Sequence, residues 1–189
     1  MAKGSKGTLV DLTGRFMIAS STLHDPNFAR SVVLIVQHDE QGALGLVINR
    51  PLQVVVAGVL EQALGRPFDI EDWLYLGGPC EGPLMALHTY ENAGDMNPVA
   101  GVFFASKRET LERLLEERPE CTARYFAGYA GWTAGQLETE IAGGSWLSTI
   151  ATAEQVFGET DKLWEKLGRL AVLERVVPSK LIPPEPGLN

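Results

Sequence analysis

Two short segments carry the residues best suited to hold a ligand. Asn49-Arg50-Pro51 closes one apolar run, and Gly77-Gly78-Pro79 follows another. The planar donor fork of an arginine matches two oxygens of a carboxylate or phosphate at once. Paired glycines permit positive φ, and their amides can cradle an anion; a tight turn is the plainer reading. Further on, Tyr125-Phe126-Ala127-Gly128-Tyr129-Ala130-Gly131-Trp132 interleaves aromatics with small residues, and Gln136 follows. That run is either a stacking platform or core packing. Asn49, Arg50, Gly77, Gly78, Pro79, Trp132 and Gln136 are therefore the candidate binding residues, expected around one concave surface. Asn49, Arg50, Gly77, Gly78 and Trp132 each stand at the end of an expected strand or in the turn beyond it. Loops held there by a rigid sheet are where binding residues concentrate.

Catalytic signatures are missing. The sequence contains no Gly-x-x-x-x-Gly-Lys loop, no Gly-x-Gly-x-x-Gly, no His-Glu-x-x-His and no Gly-x-Ser-x-Gly elbow. His24 adjoins Asp25, and His38 adjoins Asp39 and Glu40, but neighbouring pairs are not the three or four converging ligands of a metal site. Neither a metal nor a cofactor is expected. Cys80 precedes a strand that His88 ends, which gives two readings, a thiol–imidazole pair or a structural cysteine beside an ordinary histidine, and the second is the simpler. Cys80 and Cys121 form no Cys-x-x-Cys pair.

The 189 residues, 45% hydrophobic and 21% charged, have the composition of a globular chain able to bury its own core. A net charge of −8 disfavours nucleic acid and anionic membrane surfaces, which are bound through Lys and Arg. No signal peptide or spanning run is evident, so a cytoplasmic location is the default expectation. The chain reads as a single domain over 1–189, with a flexible N-terminus at 1–8 and a Pro-rich extended tail at 178–189.

The positioning elements follow from periodicity. Residues 31–37 and 43–49 are unbroken apolar runs around a polar turn, which predicts an antiparallel hairpin buried on both faces. Pro51 is expected to stop the second strand. Residues 53–64 are ambiguous: Val54-Val55-Val56 favours a strand, but the spacing from Val56 to Leu64 favours a helix, with its stop at Gly65 and Pro67. A helix is the preferred assignment. Further strands are expected over 15–19, 74–76, 84–88, 99–105, 123–129 and 146–148. Capping boxes at Ser106/Glu109, Thr133/Gln136 and Thr152/Gln155 predict three helices, and a last helix follows Thr160. An order that opens on a hairpin and then mixes types is α+β with a mixed sheet, not a doubly wound fold.

These segments together resemble the AlgH/YqgE family. The resemblance rests on Leu12-Thr13-Gly14-Arg15-Phe16, Asp25-Pro26-Asn27-Phe28 with Arg30-Ser31-Val32, and Gly42 to Pro51. Gly77-Gly78-Pro79, Tyr129-Ala130-Gly131-Trp132 with Gly135-Gln136-Leu137-Glu138, and Trp146-Leu147 complete it, so that it runs from about residue 9 to residue 170. It implies an α+β fold whose bifurcated sheet curls into a pseudo-barrel flanked by four to five helices. The family is bacterial and mostly uncharacterised, sometimes labelled as transcriptional regulators after a role in alginate regulation proposed for AlgH. It supplies no catalytic residues to carry over, and Cys80 departs from the aliphatic residue that many relatives have after Gly-Gly-Pro. The leading expectation is a regulatory or binding protein acting through a protein partner or a small anionic ligand. A hydrolase-like enzyme using a cleft near Arg50 and the Gly77–Pro79 turn is the alternative, and a DNA-binding transcriptional regulator ranks third.

Overall fold

A computed structural model describes residues 10–117 and 120–176; the expected termini at 1–8 and 178–189 lie outside the described residues. Eleven strands and five α-helices are described within it, and the strands divide into two sheets. The first sheet is built on the expected hairpin. β2 (Val32–Asp39) and β3 (Gly42–Val47) pair antiparallel, with Val33 opposite Val47 and Leu34 opposite Leu46. β1 (Arg15–Ala19) pairs with β2 and with β11 (Trp146–Ile150), and β10 (Ala130–Thr133) pairs with β3. The hairpin is thus interior, and residues 32 to 36 of β2 are all buried, as its unbroken apolar run requires.

The second sheet runs in the order β4 (Pro51–Val55), β5 (Trp73–Leu76), β9 (Ala123–Ala127), β6 (Met85–His88), β8 (Val102–Ala105), β7 (Met96–Val99). It is mixed: β5 and β9 are parallel, and its other pairs antiparallel. One core, including Phe16, Leu34, Ile48 and Phe126, lies between the two sheets and takes in the inward faces of α4 (Ala153–Phe157) and α5 (Leu163–Val176). A second packs the other sheet's outer face against α1 (Ala57–Leu64) and α2 (Arg108–Glu117). A third includes Met17, Trp132 and Trp146 and is closed by Leu137 of α3 (Gln136–Ala142).

Several expectations are corrected. The helix expected over 53–64 starts only at Ala57, because Val54 and Val55 belong to the edge strand β4, which is kinked by Gln53 at φ 54°. Pro51 opens that strand instead of ending its predecessor; a proline without an N–H is tolerated as the first residue at an edge. The run 99–105 is two strands folded at Gly101, whose φ is 75°. The run 123–129 ends at Ala127, and Gly128, at φ 72°, turns the chain into β10, a strand the aromatic run had concealed. Ser106 does not cap α2 with its own oxygen. Asp95 instead accepts the Ser106 and Lys107 amides, at 2.8 and 3.1 Å, and the Thr110 hydroxyl at 2.7 Å. The α+β class with a bifurcated sheet and flanking helices is as expected: two sheets exchange chain segments, and among the described residues neither closes into a full barrel.

Candidate functional site

The chain passes from the first sheet to the second through Ile48-Asn49-Arg50, and back through Gly128-Tyr129. The Gly77–Cys80 segment is laid between these two crossings. Val47 N–H donates to Gly77 O at 2.8 Å, Gly77 N–H donates to Ala127 O at 2.8 Å, and Cys80 exchanges both main-chain bonds with Tyr129. This lacing leaves no room for a side chain at residue 77 or 78. A Cβ at Gly77 would meet Gly128 O at 2.2 Å, and one at Gly78 would meet Tyr129 C at the same distance. The glycine pair is therefore demanded by close approach of backbones. The Gly77 amide is also spent on Ala127, so it is not a donor for an anion.

Beside this junction opens a cleft of about 510 Å³, lined by Asn27, Arg50, Leu76, the Gly78–Gly82 segment, Ala127 and Gly128. Arg50, Gly78 and Pro79 of the candidate residues line it; Asn49, Gly77, Trp132 and Gln136 do not. Arg50 is half-buried. Its guanidinium donates to Asn27 O at 2.6 Å and Ala29 O at 3.1 Å, while Leu76 N–H donates to its carbonyl at 2.9 Å. Burial lowers its pKa from the ordinary arginine value, and the charge of Asp25 works the other way. A second arginine, Arg124 of β9, supports the same crossing from inside. It is buried, donates to Ile48 O at 3.4 Å and to Gly158 O, and lies over the Tyr75 ring at 5.1 Å. Burial lowers its pKa too, against Tyr75 and Glu159.

The candidate residues outside the cleft still bear on its wall, because they hold the segment Asp25–Arg30. Asn49 accepts Val32 N–H at 2.9 Å and donates to Arg30 O at 3.0 Å, so it pins the end of that segment. Phe28 stacks on Trp132 (6.2 Å, 25°) and meets Trp146 edge-on (5.4 Å, 77°). Both indoles donate to one carboxylate oxygen of Glu140, at 3.0 and 2.8 Å, and Gln136 donates to the other at 2.9 Å. Sequence reasoning missed Glu140, Phe28 and Arg124. For Glu140 the available signal was its spacing, one helical turn beyond Gln136.

The histidines play no part in the cleft. His38 accepts Leu12 N–H at 3.1 Å and bonds Glu138 at 2.9 Å through its other nitrogen. His88 is buried, stacked on Phe103, and does not line the cleft beside Cys80. Its Nδ1 accepts Tyr90 N–H, whereas its Nε2 has no hydrogen-bond partner. Burial pushes its pKa down to about 4, against the Ala93 and Tyr90 backbone and Asp95. Among the described residues no group of three or more His, Cys, Asp or Glu could hold a metal ion. No helix there is long and apolar enough to cross a membrane.

Fold and junction together define a class: an α+β protein of two sheets laced through glycines, with an arginine at the crossing. The chain belongs to the AlgH-like family, whose model matches residues 16–174. It is 42% identical to the UPF0301 protein of Myxococcus xanthus, over 82% of this chain and 88% of that one. With a UPF0301 protein of Chlorobaculum tepidum it shares 35% identity over 81% and 83% of the two chains. The solution structure of AlgH from Pseudomonas aeruginosa superposes with a TM-score of 0.71 at 28% identity, covering 98% of this chain and all of that one.

Proposed function

We propose that this is a binding protein that takes an anionic group, of a small ligand or of a partner, in the cleft between the two sheets. Arg50 carries the reading. Its charge is half-buried at the cleft, and among the described residues no carboxylate stands within ion-pair distance of it. Two of its five N–H groups serve main-chain carbonyls, and the others remain for a ligand. A partly desolvated cation gains most from a counter-ion brought to it. Glu81 also lines the cleft and favours a singly charged group over a polyanion. The hydrolase reading has less support: Cys80 and Glu81 line the cleft with no histidine beside them to act as base.

The test is native mass spectrometry of the full chain purified gently from its own cell, beside Arg50→Gln purified the same way. An anionic ligand or acidic partner retained by the first and missing from the second supports the proposal. Identical retention by both sinks it.

A second reading concerns a protein partner. Leu52, Val54 and Val55 of β4 and Trp73 and Leu76 of β5 are all exposed, and these strands form one edge of the second sheet. Exposed apolar side chains along a sheet edge are what interaction surfaces show, and Leu76 also lines the cleft. Val54→Lys should then remove a co-purifying protein without changing the melting temperature.

A further inference from the structure

A different cavity lies away from Arg50. It is a trough of about 780 Å³ between α5 and the ends of β1 and β11, walled by Ala19, Leu147, Trp164, Gly168, Val172 and Leu173. We propose that this trough binds a single-chain aliphatic carboxylate, with its tail along α5 and its head at the Lys162–Arg169 side of the helix.

Four observations lead there. The walls are apolar yet open, with Val172 48% and Leu173 51% exposed at the end of the helix. Unbranched chains suit an open trough of a volume ordinary for small-molecule sites. Gly168 keeps the trough deep: it is a poor helix former in mid-helix, and a Cβ there would meet nothing closer than Ile18 Cγ2 at 3.9 Å. Packing therefore does not require glycine at this position. The trough runs into a second depression lined by Lys162, Glu165, Lys166 and Arg169, sharing Glu165 and Arg169 with it. Three cations, Lys162 just before α5 and Lys166 and Arg169 on it, gather at this depression in a chain whose net charge is −8. The one acid among them, Glu165, is paired with Arg30, which also lies over the Trp164 ring at 4.7 Å. An apolar slot ending at a basic rim is complementary to an amphipathic anion and not to a neutral or cationic one.

The probe is a series of octanoate, nonanoate and decanoate, below micellar concentrations, titrated into the full chain by calorimetry. Trp164, whose indole N–H donates to Ala19 O at 2.7 Å, gives a fluorescence signal from the wall. Affinity should tighten about fourfold per methylene, the value that transfer of a buried CH₂ implies. Decanol should bind at least about tenfold more weakly than decanoate, and Arg169→Glu should erase that difference. Gly168→Leu, a better helix former, should keep or raise the melting temperature while losing decanoate binding more than about tenfold. Decanoate binding that survives Gly168→Leu, or that shows no chain-length dependence, overturns the proposal. So does binding that emerges only in a full-chain Leu181→Asp/Ile182→Asp variant, which would give the trough to the chain's own C-terminal residues. A dimer abolished by Gly168→Leu would overturn it as well, in favour of a second copy.

Discussion

Arg50 has two duties, and they can be separated. Its bonds to Asn27 O and Ala29 O fix the Asp25–Arg30 segment. Arg50→Ala should therefore cost about 1–3 kcal/mol in chemical denaturation, besides any loss of binding. Arg50→Lys keeps the cation but not the planar fork, and should recover part of the stability. Glu140 is the corresponding anchor on the aromatic side. Glu140→Gln presents one oxygen where two charge-assisted indole bonds now meet, and should lose about 1–3 kcal/mol. His88 gives a pH signature. Its folded pKa of about 4 lies below the ordinary 6.5, so between those values the unfolded chain binds a proton that the folded chain refuses. Stability should fall on acidification through that window, by at most about 1.4 kcal/mol per pH unit, and level off below it. Asp95 acts lower on the scale. Burial raises its pKa, but the Ser106, Thr110 and Lys107 bonds together bring it below 3.8, so its contribution is lost only under stronger acid. Denaturation midpoints of the wild type and His88→Leu from pH 7 to 4 check this, with the slope in the window reduced in the variant.

Elements were legible wherever pattern and local chemistry agreed. The β2–β3 hairpin followed from two apolar runs around a polar turn, and the start of α4 from the Thr152/Gln155 box, which is present in both halves. Legibility failed where a distant residue decided. Asp95 caps α2 from before β7, eleven positions ahead of Ser106, so the local Ser106/Glu109 signal pointed to the wrong oxygen. β10 was hidden because its alternation, buried at Ala130 and Trp132, is masked by small residues, among them Gly131, where a Cβ would meet the Tyr129 ring at 3.1 Å. The same holds for the candidate residues. Arg50, Gly78 and Pro79 stand at strand ends that meet, whereas Trp132 acts through Phe28, a contact that no spacing reports, and Gln136 through Glu140, one helical turn on. Asp95→Ala should cost about 1–2 kcal/mol and speed amide exchange in the first turn of α2. Val33, fully buried in the hairpin, should lose at least about 3 kcal/mol on substitution by Asp, since the carboxylate would enter a cluster of apolar side chains.

At the scale of the whole molecule, two sheets exchange chain segments at a laced junction, and the crossing that makes the fold also makes the cleft. A net charge of −8 opposes direct DNA binding. Fluorescence anisotropy against a random duplex library at about physiological salt should select no sequence; nanomolar selection would revive the regulator reading in its literal form. The claim that the junction serves an anion is tested most directly by amide NMR of the full chain titrated with acetate and with inorganic phosphate at constant ionic strength. The account predicts saturable shifts confined to Gly78, Cys80, Glu81, Gly82 and Gly128, lost in Arg50→Gln while the rest of its spectrum stays folded. Shifts that do not saturate, that scatter over the surface, or that persist undiminished in Arg50→Gln would contradict it.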